Sequence, residues 1–169
     1  MTARRRMVLG LGAAGGAGAL GLGAALWRER ATPSPHPVFT ARFDRPEGGE
    51  LVMASYLGRP LLLNFWATWC PPCIREMPLL GEFHRRQPAA GWQVVGLAAD
   101  AGAPVREFIQ RQPVPFAIGL AGFQGVELSR QLGNEGGGLP FSALFDADGR
   151  LLRTHVGELD AQKLADFTS

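Results

Sequence analysis

Residues 69–73 read Trp-Cys-Pro-Pro-Cys, and Cys70 and Cys73 are the only two cysteines in a chain of 169 residues. Thiols in C-x-x-C spacing can close a disulfide on each other, and with no third cysteine nothing competes for that pairing. So short a ring ties down only a few residues and serves poorly as a structural brace. Before the pair runs Pro60-Leu61-Leu62-Leu63-Asn64-Phe65-Trp66, a mostly apolar stretch suited to a buried strand. After it, Ile74 to Arg86 can be helical. A C-x-x-C where a buried strand gives way to a helix reads as a redox site.

The N-terminal end differs from the rest. Arg4, Arg5 and Arg6 precede an uncharged stretch, Met7 to Trp27, that holds seven glycines among alanines and leucines. As a helix this stretch would reach about 31 Å, enough to cross a bilayer. The arginines before it outweigh Arg28 and Arg30 after it, so the positive-inside bias leaves the N-terminus in the cytoplasm and sends the chain across. The span reads as an uncleaved anchor, because Leu26-Trp27-Arg28-Glu29-Arg30 lacks the small residues a signal peptidase wants. A cleaved signal and a twin-arginine export signal are the alternatives. Residues 1–30 are then a signal or anchor, residues 31–37 (Ala-Thr-Pro-Ser-Pro-His-Pro) an extended Pro-rich linker, and residues 38–169 one domain. The formal charge of +2 hides a division: residues 1–37 carry five arginines and one glutamate, so the remainder is net acidic. No basic stripe is left for nucleic acid.

Along the domain, Val38 to Phe43 alternates and predicts an edge strand, and Gly48-Gly49 predicts a turn into a second short strand at Glu50–Met53. A brief helical turn over Ala54–Gly58 leads to the strand Leu61–Trp66 and a helix over Pro72–Arg86. Strands follow at Trp92–Ala98 and Phe116–Leu120, with helices at Ala103–Gln112 and Val126–Leu132. Phe141–Phe145 and Leu151–Val156 flank Asp146-Ala147-Asp148-Gly149-Arg150, a hairpin signal, and Leu159–Phe167 predicts a closing helix. This order is that of an α/β fold: a mixed central sheet with helices on both faces.

The run Asn64-Phe65-Trp66-Ala67-Thr68-Trp69-Cys70-Pro71-Pro72-Cys73, then Glu76-Met77-Pro78, Gly138-Leu139-Pro140 and Asp146 to Arg150, resembles the thioredoxin superfamily. Within it the run is similar to the membrane-anchored TlpA-like, ResA-like and cytochrome-c-biogenesis thiol reductases of bacteria. The likeness extends from about Phe39 to the C-terminus and implies a thioredoxin-like fold, thiol–disulfide exchange and an extracytoplasmic domain.

Cys70, at a helix N-terminus, is the expected nucleophile. Pro71 and Pro72 have no N–H, so the nearest amide left for its sulfur is that of Cys73, the expected resolving thiol. Glu76 falls on the helix face of Cys73, and ResA-like reductases carry a glutamate at the matching position, which implies a proton relay. A solvated helix glutamate is the alternative. Asn64 stands where thioredoxin has a buried aspartate. Pro140 matches the family's cis-proline, which makes Leu139 the substrate-facing neighbour. The run Gly136-Gly137-Gly138 predicts an unusually loose loop before them. Trp69 is the expected exposed landing surface beside the nucleophile, Trp66 and Met77 are expected in the core, and Pro78 is expected to kink the helix.

The rival reading of C-x-x-C as a zinc site needs two more ligands, and His36, His84 and His155 are not in paired spacing. A copper metallochaperone or thiol-dependent binding module and a disulfide-forming oxidase are further rivals. The resemblance implies client proteins with cysteine pairs, a transmembrane thiol reductase as electron donor, membrane attachment through residues 7–27, and no cofactor beyond the two thiols.

Overall fold

The computed structural model describes residues 34–86 and 91–169. The expected anchor, export signal and the first three residues of the linker fall on residues 1–33, outside the described residues. Among those described, no helix is long and apolar enough to cross a membrane.

Seven strands form one sheet: β1 (Arg42–Asp44), β2 (Glu50–Val52), β3 (Leu61–Trp66), β4 (Gln93–Ala98), β5 (Ala117–Leu120), β6 (Phe141–Phe145) and β7 (Leu151–Val156). Their order across the sheet is β2-β1-β5-β4-β3-β6-β7. The three inner strands β3, β4 and β5 run parallel, while every pairing outward from them, through β6 to β7 on one side and through β1 to β2 on the other, is antiparallel. β3, β4 and β6 are buried along their whole lengths, as apolar strands covered on both faces must be. The helices are α1 (Pro71–Arg86), α2 (Gly102–Arg111), α3 (Gln124–Gln131) and α4 (Ala161–Phe167).

Alternation along the strands sorts the core into two layers. Leu62 and Trp66 of β3 and Leu144 of β6 face one side, where they meet Cys73, Met77 and Leu80 of α1, Val105 of α2, and Leu164 and Phe167 of α4. Leu61, Leu63 and Phe65 face the other side with Phe141, Ala143 and Phe145 of β6, covered by α3 and by the chain around Phe39 and Met53. The expected mixed sheet with helices on both faces is the fold observed.

The start of the domain departs from expectation. In place of an edge strand over Val38–Phe43, Pro37–Thr40 forms a 3-10 turn and only Arg42–Asp44 is strand, lying between β2 and β5. A strand would send Val38 and Phe39 to opposite faces, yet both are buried in the same layer, Phe39 edge-on to Phe145 with ring centroids 5.2 Å apart. The curl that allows this starts at Pro37, and His36 Nδ1 accepts the Val38 N–H at 3.2 Å. The expected hairpin is present; its Gly149 has φ +77°, and a Cβ there would fall 2.7 Å from Leu57 Cδ2. The closing helix begins at Ala161 rather than Leu159, because Asp160 takes the N-cap, accepting the Lys163 N–H at 2.8 Å, and Leu159 turns into the core.

Candidate active site

Parallel β3, β4 and β5 bring their carboxyl ends to one end of the sheet, the place where open α/β sheets put their chemistry. From β3 the chain passes through Ala67-Thr68-Trp69 to Cys70. Asp100, just past β4, holds that passage: Thr68 donates to Asp100 Oδ2 from its backbone N–H at 3.0 Å and from its hydroxyl at 2.5 Å. Asp100 Oδ1 accepts the Ala101 N–H at 2.7 Å, so both carboxylate oxygens are used. α1 then starts on Pro71 and Pro72, which suit a first turn because no intrahelical N–H bond is made there.

Cys70 and Cys73 are joined as a disulfide across this first turn, with Cα atoms 5.3 Å apart. The Cys73 N–H points to Cys70 Sγ at 3.3 Å, the amide that the two prolines leave available. Cys73 is fully buried and Cys70 is 4% exposed, whereas Trp69 beside them is 61% exposed. Trp66 and Met77 are fully buried.

The buried stripe of α1 is Cys73, Glu76, Met77, Leu80 and Gly81, a helical face with a carboxylate one turn below Cys73. Glu76 is 1% exposed. It is not a solvated helix residue: Oε1 accepts from Asn64 Nδ2 at 2.8 Å and Oε2 accepts the Leu159 N–H at 2.8 Å. Asn64 Nδ2 also donates to Ser142 Oγ at 3.1 Å, across the β3–β6 register pair Asn64–Ser142. Burial pushes the Glu76 carboxyl up to about 7, against the pull of the Leu159 and Asn64 donors and helped by the charge of Glu158. Near neutral pH the group is therefore poised between its two protonation states.

At the carboxyl end of β3, where Phe141 pairs with Phe65, Leu139–Pro140 is a cis peptide leading into β6. Pro140 is buried, and Leu139 is half-buried against both core layers. Pro78 lies on the exposed side inside α1, which the helix runs through. The run Gly136–Gly138 is not the loose loop expected. Gly137 N–H donates to Asn134 O at 2.9 Å, and Asn134 Nδ2 donates to Gly138 O at 2.9 Å. Among the described residues no three His, Cys, Asp or Glu side chains converge as metal ligands.

Three contributors escaped the sequence reading. Ser142 is the one polar residue in the apolar run Phe141–Phe145, a signal of a buried polar partner. Asp100, an acid just past a buried strand at the cysteine end of the sheet, was also legible once the strand order is assumed. The Leu159 N–H carried no signal, since a backbone donor 83 residues from its acceptor is placed by folding alone.

A thioredoxin-like sheet with a cysteine pair at the head of its first long helix and a cis-proline at the same end of the sheet defines a thiol-disulfide oxidoreductase of the thioredoxin superfamily. The chain belongs to the Redoxin family, whose model matches residues 34–168. It is 30% identical over 122 residues to the thiol-disulfide oxidoreductase ResA of Bacillus thuringiensis subsp. konkukian, covering 72% of this chain and 68% of that one. Among solved structures it is similar to a thiol:disulfide interchange protein of Chlorobium tepidum, with TM-score 0.67 and 25% identity, covering 81% of this chain and 93% of that chain. It is also similar to StoA of Bacillus subtilis, with TM-score 0.61 and 26% identity, covering 79% and 100%.

Proposed function

We propose that this protein reduces disulfides of client proteins on the outer side of a bacterial inner membrane, tethered through residues 7–27 or released there after signal cleavage. The carrying observation is a buried carboxyl with a pKa of about 7 on the helix face of the resolving cysteine. In the reduced protein, the Cys70 thiolate attacks one sulfur of a client disulfide. The client S–S bond breaks, a mixed disulfide forms on Cys70, and the released client sulfur takes a proton. Cys73 then gives its proton to ionised Glu76 and attacks Cys70 Sγ. The Cys70–Cys73 bond forms, the mixed disulfide breaks, and the second client sulfur leaves as a thiolate that takes up a proton while Glu76 releases the one it received. Two electrons have passed to the client, and a transmembrane thiol reductase returns them by exchange with the disulfide. The clients we favour are apocytochrome c or the copper-site cysteines of an oxidase. Trp69 and Leu139 are the client-facing residues in this reading, with Pro140 supporting them.

Reduction is favoured over oxidation by how little supports a Cys70 thiolate. Pro71 and Pro72 offer no amide, no histidine lies between the cysteines, and one N–H, that of Cys73, faces the sulfur. A thiolate stabilised so sparingly leaves the disulfide comparatively favoured. Equilibration of the Cys70–Cys73 couple against glutathione tests this. We expect a potential nearer roughly −270 mV, as in thioredoxin, than roughly −120 mV, as in the strong periplasmic oxidant. A value above roughly −170 mV, about midway toward that oxidant, overturns the reductase direction in favour of a disulfide-forming oxidase.

A further inference from the structure

Asn134 is an anomaly in its loop. Gly133, Glu135, Gly136 and Gly138 around it are exposed, yet Asn134 is 1% exposed. Its side chain reaches two places at once: Nδ2 donates to Ser129 Oγ at 2.9 Å and to Gly138 O at 2.9 Å. Its backbone is also engaged, the N–H donating to Ser129 O at 3.1 Å and the carbonyl accepting the Gly137 N–H at 2.9 Å. Ser129 is fully buried in α3, and its hydroxyl donates to Val126 O at 2.7 Å. A continuous chain of bonds thus runs from α3 through Ser129 and Asn134 to Gly138, the residue before Leu139. Gly137 lies against the same helix with φ +63°, where a Cβ would fall 3.0 Å from Val126 Cγ1.

We propose that Asn134 is a positioning residue that presents the Leu139 backbone to an extended client polypeptide. The inference rests on the client-exchange reading above and adds to it the device that orders the client-facing loop. Leu139 lies outside the ladders pairing β6 with β3 and β7, so its backbone is committed to no strand of the sheet. Three glycines carry the chain to it, and glycine has the widest conformational freedom of any residue. A loop of that kind left untethered would hold Leu139 in a client-ready position only part of the time, and apparent affinity falls by that fraction. The Asn134 tether removes this loss. A disulfide too small to lie along the loop needs only access to Cys70, so its reaction does not depend on the tether.

The test compares wild type, Asn134→Ala and Ser129→Ala as reductants of two substrates, a peptide with an internal disulfide and a small aromatic disulfide. For Asn134→Ala the KM for the peptide should rise about five-fold, with kcat within about two-fold, as expected for losing a loop-ordering bond. Ser129→Ala keeps the bond to Gly138 O and should raise the same KM about two-fold. The rate with the small disulfide and the Cys70–Cys73 potential should be unchanged in both. An unchanged peptide KM in the folded variants overturns the proposal, Ser129→Ala deciding alone if Asn134→Ala does not fold. Equal losses on both substrates overturn it as well, since they would mark a merely structural residue. A wild type inert toward both disulfides would instead sink the exchange reading, and this inference with it.

Discussion

The two layers of core on opposite faces of the sheet are built from the same strands and differ in what they hold. The α3 side is stabilised by aromatic packing: Phe39 meets Phe145 edge-on, and Phe65 tilts against Phe141 with centroids 5.8 Å apart. The α1 side is equally buried but carries Asn64, Glu76 and Ser142 among its apolar residues, beneath the cysteine pair. A buried carboxyl costs free energy unless it is neutral or well bonded, and Glu76 is held at the edge of both conditions. Ring pairs occur on both faces, Trp66 with Phe108 at 5.3 Å on the α1 side among them, so what sets the α1 side apart is the buried carboxyl that titrates near neutral pH. The difference teaches that one face of a sheet can hold a titrating group while the other is filled by packing alone around Phe145.

The largest expected effects fall on the cysteine side and leave the fold intact. Cys73→Ser should accumulate mixed disulfides through Cys70, because the resolving sulfur is gone. Cys70→Ser should trap no client, since Cys73 is fully buried. Exchange should fall to background in both, as read by non-reducing electrophoresis after mixing with a disulfide-bonded client. Equal trapping by the two variants would show that the nucleophile is misassigned and that both sulfurs reach the surface.

Truncating the aromatic layer should do the opposite. Phe145→Ala removes a fully buried ring and should cost about 3–5 kcal/mol of stability in urea unfolding. The exchange rate per folded molecule should stay within about two-fold of wild type, an allowance set by the transition-state scale on which a tenfold change is about 1.4 kcal/mol. A selective loss of exchange in this variant would break the division of labour between the two faces.

The smallest effect is a pH dependence that sharpens it. Glu76 keeps its proton in the folded protein up to about 7, whereas its ordinary value is 4.5. Below that ordinary value both states hold the proton and the group does not affect stability. As pH rises from about 4.5 to about 7, the unfolded chain gains from ionising while the folded one does not. Stability should therefore fall across that window, by something of order 3 kcal/mol, and level off above it. Glu76→Gln should remove the slope, and it should also slow client exchange near neutral pH. A Glu76→Gln protein with the wild-type stability profile would place the titrating group elsewhere, and an unchanged exchange profile would remove Glu76 from the proton transfer.

The sequence reading and the structure agree where short-range pattern decides. Leu61–Trp66 is read as a buried strand from six mostly apolar residues, and Phe141–Phe145 and Leu151–Val156 as a hairpin from the Asp-Gly turn between them. The failure at Val38–Phe43 has the same root. Alternating apolar residues suit a strand, but a second layer of core needed Val38 and Phe39 on one side, and that demand comes from Phe145, far along the chain. The loop Gly136–Gly138 is misread as loose because the residues that anchor it, Ser129 and Asn134, look in sequence like an ordinary helix serine and a turn asparagine.

Legible in the residues alone are the cysteine pair, the strand and helix that flank it, the prolines that remove two donors from the first turn, and the shared helix face of Cys73 and Glu76. Each depends on covalent spacing or on the period of one element, which a chain carries wherever it goes. It took the folded chain to bury Glu76, to bring Asn64 and the Leu159 N–H to its two oxygens, and to set Asp100 against the approach to Cys70. These are encounters between segments tens of residues apart, and proton affinity and loop order follow from which groups meet out of water, a matter no local pattern records.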